Sequence, residues 1–221
     1  MRMSAAIVSA SLLLAACVNA DTVDGPVDMV SHDIVTFAGN DPGAHFLLYA
    51  PGADEPSLLR ADIAVDTAQV PPGSRVMLAY TAPDADSGTI GVRGVAPINS
   101  EILRGAPGVP EGWDADSVWL VSVWRAGQYV DMRLRLPYTA EPRTFALVLD
   151  SATLGSGAPR LYLAHRLPVD VEADATFSRS YYASFDISSV WSRPDVTEVT
   201  VSVANANIPS KNSFTFEKPT Y

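Results

Sequence analysis

Strict alternation of apolar and polar residues narrows the folds open to this chain more than any other feature. Val130, Met132, Leu134 and Leu136 alternate with Tyr129, Asp131, Arg133 and Arg135. Phe145, Leu147 and Leu149 keep the same rhythm, as do Val199, Val201 and Val203 against Thr200 and Ser202, and Phe214 and Phe216 against Ser213, Thr215 and Glu217. A period of two sends successive side chains to opposite faces of a strand, so each run covers a core with one face and meets water with the other. Val118 to Trp124 is more continuously apolar, as expected of a strand buried on both faces. After the leader, no window of twelve or more residues shows helical periodicity, and Pro or Gly recurs about every ten residues, the spacing of turns in all-β domains. The chain therefore reads as all-β. About seven strands follow Ser117, which suits an antiparallel β-sandwich of roughly 100 residues over 117–221. Before it, Asp33–Phe37, Ala44–Ala50, Leu58–Ala64, Arg75–Thr81 and Gly88–Leu103 are strand candidates, with Pro71-Pro72-Gly73 as the turn into the fourth. Such a set over residues 31–103 suits a small OB-like barrel. Residues 104–116 lie between the two. Five of the eight residues from Gly105 to Gly112 are Gly or Pro, which neither a helix nor a central strand can continue through, so this stretch reads as a linker.

The N-terminus adds a different constraint. Arg2 precedes an apolar run from Ala5 to Ala16 that is too short to span a bilayer, which needs about 20 residues, and that matches the apolar core of a signal peptide. The run closes on Leu14-Ala15-Ala16-Cys17, which resembles the lipobox of bacterial lipoproteins. That resemblance implies cleavage before Cys17 and acylation of its thiol and new α-amine. Each buried methylene contributes about 0.8 kcal/mol, so several acyl chains would hold the protein to a membrane. Residues 1–16 are thus expected to be a lipoprotein signal peptide, and residues 17–30 the lipidated Cys17 and a flexible acidic tether. The expected location is the cell envelope, with a lipid anchor in the outer membrane. The competing reading is an ordinary signal peptide cut elsewhere, with Cys17 a bystander. As Cys17 is the only cysteine, neither an intramolecular disulfide nor a Cys-rich zinc site can form.

Charge is unevenly divided. The net charge is −10, which argues against a nucleic-acid binder that works by neutralising phosphates. Residues 17–116 carry 4 arginines against 15 acids, whereas residues 117–221 carry 10 bases and 10 acids. Residues 31–103 hold 3 bases and 9 acids, and their only aromatics are Phe37, Phe46, Tyr49 and Tyr80. An OB fold that binds single strands needs a positive groove lined with aromatics, so that use of the fold is excluded here.

Residues with catalytic potential are sparse. The histidines are His32, His45 and His165; His165, Ser184 and Asp186 could form a hydrolytic set only if the sandwich brought them together. The pairs Asp84/Asp86 and Asp114/Asp116 could serve acid/base chemistry only in a cleft, and the first also lacks the third acidic ligand and closing glutamate of a calcium loop; sitting among turn residues, both read as solvated turns. No metal-ligand spacing and no phosphate-binding loop is present. The chain is therefore expected to be non-enzymatic, without metal or cofactor. Aromatics are the remaining signal, and nearly all fall in the second module. Trp119, Trp124, Tyr129, Tyr162 and Trp191 are the candidate ligand-binding residues, either as a sugar platform or as core. Trp119 and Trp124, five apart, should face opposite sides of a regular strand.

These residues carry a resemblance to the NigD-like lipoproteins. It rests on Phe46-Leu47-Leu48 and on Gly73-Ser74-Arg75-Val76-Met77-Leu78-Ala79-Tyr80 in the first module. In the second it rests on Val121 to Met132, Arg160 to His165, Ser184 to Ser189 and Phe214-Thr215-Phe216. The resemblance implies an OB-like domain followed by a β-sandwich. The family has no established activity; its name derives from a bacteriocin gene neighbourhood. The expected function is a membrane-anchored binding or scaffolding module with a protein partner in the envelope, the acidic barrel serving as a spacer or as a dock for a basic partner. The alternative is a glycan-binding accessory lipoprotein that uses exposed aromatics of the sandwich.

Overall fold

The computed structural model describes residues 29–140, 143–166 and 174–219, with no side-chain description for 174–176. The signal peptide, Leu14, Ala15, Ala16, Cys17 and the tether up to residue 28 lie outside the described residues. Among the described residues no helix is long and apolar enough to cross a membrane.

The first module is a five-stranded antiparallel sheet. Its strands are β1 (Val30–Asn40), β2 (Ala44–Leu48), β3 (Ser57–Ala61), β4 (Arg75–Thr81) and β5 (Gly91–Pro97), in the order β3-β2-β1-β4-β5. One face gathers Val35, Phe37, Phe46, Val76 and Leu78, all fully buried, with the Phe37 and Phe46 rings 5.6 Å apart. The expected turn at Pro71-Pro72-Gly73 is present: Ser74 N–H donates to Pro71 O at 3.1 Å, and Gly73 N–H donates to Phe37 O at 2.7 Å. No ladder pairs β3 with β5, but Ile90 N–H donates to Arg60 O at 2.7 Å across the two margins of the sheet.

The remaining strands form two sheets that share one core. These strands are β6 (Asn99–Ile102), β7 (Arg104–Ala106), β8 (Trp119–Ala126), β9 (Tyr129–Tyr138), β10 (Thr144–Asp150), β11 (Arg160–Arg166), β12 (Asp174–Asp186), β13 (Glu198–Ser202) and β14 (Ser213–Glu217). One sheet runs β14-β13-β11-β10-β7 and the other β6-β12-β9-β8. The alternation read from the sequence is realised residue by residue. Val130, Met132, Leu134 and Leu136 of β9 point inward, against Leu147, Leu161, Val199 and Val201 of the facing sheet and beside Phe185 of β12. Burying a side chain of this size contributes about 1.5–3 kcal/mol, and the four β9 positions place that gain on one face.

Three features depart from the sequence reading. Val118 to Trp124, expected to be buried on both faces, leaves Trp119 and Val121 48% and 47% exposed, because this end of the outer sheet is covered on one side only. Residues 99–102 were expected in the barrel and residues 104–106 in the linker, but β6 and β7 add to the sandwich, one at the edge of each sheet. They are four and three residues long, too short to show an alternation, and their partners lie tens of residues away in sequence. The candidate Gly88–Leu103 is split after Pro97, the last residue paired with β4, because Asn99–Ile102 pair with β12 instead. The sandwich is also mixed rather than purely antiparallel: β6 with β12, β7 with β10 and β11 with β13 pair in parallel. Parallel pairing requires a crossover between distant segments, which local periodicity does not report.

Candidate binding face on the outer sheet

The sheet β6-β12-β9-β8 turns its second face away from the sandwich core. Pairing register sets what lies side by side there. Trp119 pairs with Arg135, and Arg135 with Ser180; Ser122 pairs with Arg133, and Arg133 with Tyr182. Further along, Trp124 pairs with Asp131 and Asp131 with Ser184, and then Tyr129 with Asp186. Trp119 and Trp124 therefore share a face, contrary to the spacing argument. The reason is a β-bulge: two residues, Leu120 and Ser122, span adjacent partners Leu134 and Arg133, and the extra Val121 resets the parity of the strand.

The first module covers the Tyr129–Asp131–Ser184 end of this face. Arg75 at the start of β4 sends a fully buried guanidinium across the junction. It forms an ion pair with Asp131, donates from Nε to Ser184 Oγ at 3.0 Å and from Nη1 to Thr36 Oγ1 at 3.2 Å, and lies 4.3 Å from the centre of the Tyr129 ring. Burial pushes the Asp131 carboxyl up, opposed by Arg75 and by the Ser184 hydroxyl. The second attachment is the β8–β9 hairpin, a two-residue turn in which Gly127 takes φ +60°. Its Cα lies against the Tyr49 ring, and a Cβ there would come within 2.5 Å of that ring. Arg125, just before the turn, donates to Gly52 O, to Gly127 O at 2.7 Å and to Asp54 Oδ1 at 2.7 Å.

The other end of the face is open. Trp119 is 48% exposed, and Arg133, Arg135 and Ser180 are exposed beside it. A hollow of about 450 Å³ lies here, lined by Ser117, Trp119, Arg135, Pro137, Ser178 and Ala206. Arg135 Nε donates to Ser178 Oγ at 2.9 Å, and the Arg133 guanidinium sits 5.9 Å from the centre of the Tyr182 ring.

The five aromatic candidates are not brought together. Trp119 lines the open hollow. Trp124 is half-buried in a second hollow with Gly52, Arg125, Phe216 and Lys218. Tyr129 lies in the module junction under Arg75 and edge-on to Tyr49. Tyr162 is buried against Trp113, with ring centres 5.1 Å apart. Trp191 is half-buried beneath the Arg125 guanidinium, 4.6 Å from the ring centre. Tyr129, Tyr162 and Trp191 thus serve the core or the junctions, whereas Trp119 and Trp124 each line a separate hollow. The sequence reading missed Arg133, Arg135 and Tyr182. Their signal was the same alternation that placed Leu134 and Leu136 inside.

The hydrolytic candidates take separate partners. Ser184 belongs to Arg75 and Asp131 in the junction. Asp186 caps the backbone N–H of Ser188 at 2.8 Å. His165 is on the other sheet, buried and stacked on Phe145, with Nε2 3.1 Å from Arg143 Nη1 and Nδ1 3.3 Å from Asp116 O. An arginine can only donate, so Nε2 accepts, the proton sits on Nδ1, and the imidazole is neutral. Burial, and then the Arg143 charge, lowers the His165 pKa. The unfolded chain therefore takes up a proton here more readily than the folded one, and stability should fall as pH drops below the ordinary histidine value of about 6.5. Urea unfolding of the wild-type chain and of His165→Gln across this range checks it: the variant should lose part of the pH dependence, and two parallel curves would refute the assignment. The acidic pairs are turns, as read. Asp84 Oδ1 accepts from Asp86 N–H at 3.0 Å and Ser87 N–H at 2.9 Å, which lowers its pKa. Among the described residues no group of three His, Asp or Glu is placed to hold a metal ion.

With this geometry in hand, solved structures supply the comparison. The chain aligns with a NigD-like immunity protein from Bacteroides caccae at TM-score 0.56 and 19% identity, over 79% of this chain and 85% of that one. It aligns with a DUF1344 protein of unknown function from Bacteroides vulgatus at TM-score 0.57 and 16% identity, over 87% and 92%. It aligns with a candidate lipoprotein from Bacteroides fragilis at TM-score 0.59 and 12% identity, over 87% and 99%. Identities this low show a common fold, which is the fold of NigD-like proteins. No family model and no curated protein matches the chain.

Proposed function

We propose that this chain is a NigD-like lipoprotein of the bacterial envelope, anchored to the outer membrane through acylated Cys17, that acts by binding rather than by catalysis. The observation that carries this reading is the division of the outer sheet: the first module covers one end, and the other keeps an exposed tryptophan beside two exposed arginines. An exposed indole offers an apolar ring face for stacking, and the arginines beside it add a cationic margin. The residues with catalytic potential are engaged elsewhere: Ser184 and His165 in buried contacts, and Asp186 in capping Ser188 N–H. The fold shared with a NigD-like protein and a candidate lipoprotein, together with Leu14-Ala15-Ala16-Cys17, supports the anchored placement. A basic protein partner, which the acidity of the first module suggests, would be repelled by Arg133 and Arg135 at this face. The alternative of a sugar ligand is therefore favoured there.

Two measurements test the reading. Cys17→Ala should abolish incorporation of labelled palmitate; persistent labelling would refute the anchor. The photo-crosslinker p-benzoylphenylalanine, placed at Ser180 on the open face, should trap a ligand in the intact envelope, whereas the same group at Arg160 on the opposite sheet should not. Absence of any adduct at Ser180 would remove the binding face.

A further inference from the structure

We infer that the open end of the outer sheet is a site for an acidic sugar, with the ring laid on Trp119 and its carboxylate held by Arg135. The inference rests on the binding-face reading above and adds the ligand class.

The hollow has the size of a small-molecule site, within the usual range of roughly 300–1,000 Å³. Its walls are of two kinds. Trp119, Pro137 and Ala206 give an apolar surface, suited to the C–H face of a pyranose ring. Ser117, Ser178 and the guanidinium of Arg135 give polar groups at its margin, suited to hydroxyls and an anion. Of the four tryptophans, Trp119 is the exposed one.

The arginines specify the charge. Arg75, Arg104, Arg125 and Arg193 each pair with a carboxylate. Among the described residues Arg133 and Arg135 pair with none, a state they share with Arg60, Arg143, Arg160, Arg166 and Arg179; what sets these two apart is their place on the open face, in register with Trp119 and Ser122. The single bond from Arg135 Nε to Ser178 Oγ orients the fork and leaves its two terminal nitrogens for a bidentate carboxylate. Arg133 stands two residues along the same face, roughly 7 Å further on, where it can meet the charge of a neighbouring sugar unit. Ser180 and Tyr182 on β12 flank the two arginines with hydroxyls. A neutral sugar would offer the two guanidinium groups hydroxyls but no countercharge.

The test is calorimetric titration of the chain from residue 18 onward, which contains every described element. The titrants are oligouronides from galacturonan, alginate and hyaluronan, each compared with its methyl-esterified form. At least one acid form should bind, and its ester should bind roughly tenfold more weakly, the scale of one charge-assisted bidentate contact. Arg135→Gln should cause a loss of about the same size, and Trp119→Ala should abolish detectable binding. Trp119→Phe should retain part of it, and Arg160→Gln should leave it unchanged. Binding should weaken as salt rises, because both arginines are exposed. No binding to any oligouronide, equal binding of acid and ester, or full binding by Trp119→Ala would overturn the inference. If the Ser180 adduct forms in the envelope while no oligouronide binds, the face stands and the sugar assignment falls. If both are absent, both fall.

Discussion

Asp131→Ala is expected to cost the fold about 3–5 kcal/mol, the range for removing one partner of a buried ion pair. Both side chains of the Arg75–Asp131 pair are 1% exposed, so the variant leaves an arginine charge in the interior with only Ser184, Thr36 and the Tyr129 ring around it. Asparagine at this position would keep a hydrogen-bond acceptor but not the charge, and should fall between alanine and the wild type. The pair itself is not an optimal arrangement, because Asp131 Oδ1 is buried without a partner. Desolvating two ions commonly offsets their mutual attraction. Replacing both, as Arg75→Met with Asp131→Leu, should therefore recover most of the loss. Urea unfolding of the single and double variants measures the difference. A loss below about 1 kcal/mol for Asp131→Ala would mean that water reaches the site and that the pair does not lock the modules.

Arg125→Met should be nearly as damaging, at about 2–4 kcal/mol, through a more local route. The Arg125 guanidinium is 3% exposed and ties three carbonyl-bearing residues, Gly52, Ala53 and Gly127, to Asp54. Methionine keeps most of the apolar stem over Trp191 but strands those oxygens. The loop after β2 should then separate from the β8–β9 hairpin. Two backbone bonds report on this directly: Gly52 N–H to Arg125 O at 2.7 Å and Gly127 N–H to Ala53 O at 2.8 Å. Hydrogen exchange at these two amides should accelerate more than at Leu147 or Leu161 in the sandwich core. Equal acceleration everywhere would show general destabilisation rather than loss of a clasp.

Much of the sandwich was legible in the chain because its strands obey a local rule. The alternation along β9 placed Leu134 and Leu136 inside and, by the same step, Arg133 and Arg135 outside. What it could not reveal was which outward positions another module would cover. Asp131 and Arg133 are two apart on one face, and only the arrival of Arg75, 56 residues earlier in the chain, makes one of them core and leaves the other in water. The bulge at Val121 was also beyond reach, since only the pairing with Leu134 and Arg133 shows which residue of the strand is the extra one. The same limit applies to β6 and β7, which are short enough that their partners define them.

The sequence by itself determined the strand class, the inward residues of the longer strands, the Gly and Pro turns, and the lipobox-like Leu14–Cys17, because each depends on residues within a few positions of one another. Only the tertiary structure decided which aromatics are exposed, which charges are paired and where the two modules join. Those properties depend on contacts between residues far apart in the chain, such as Arg75 with Ser184, 109 positions away. Burial turns a serine, an aspartate or a tyrosine into structure, and its absence leaves Trp119 and two arginines facing solvent.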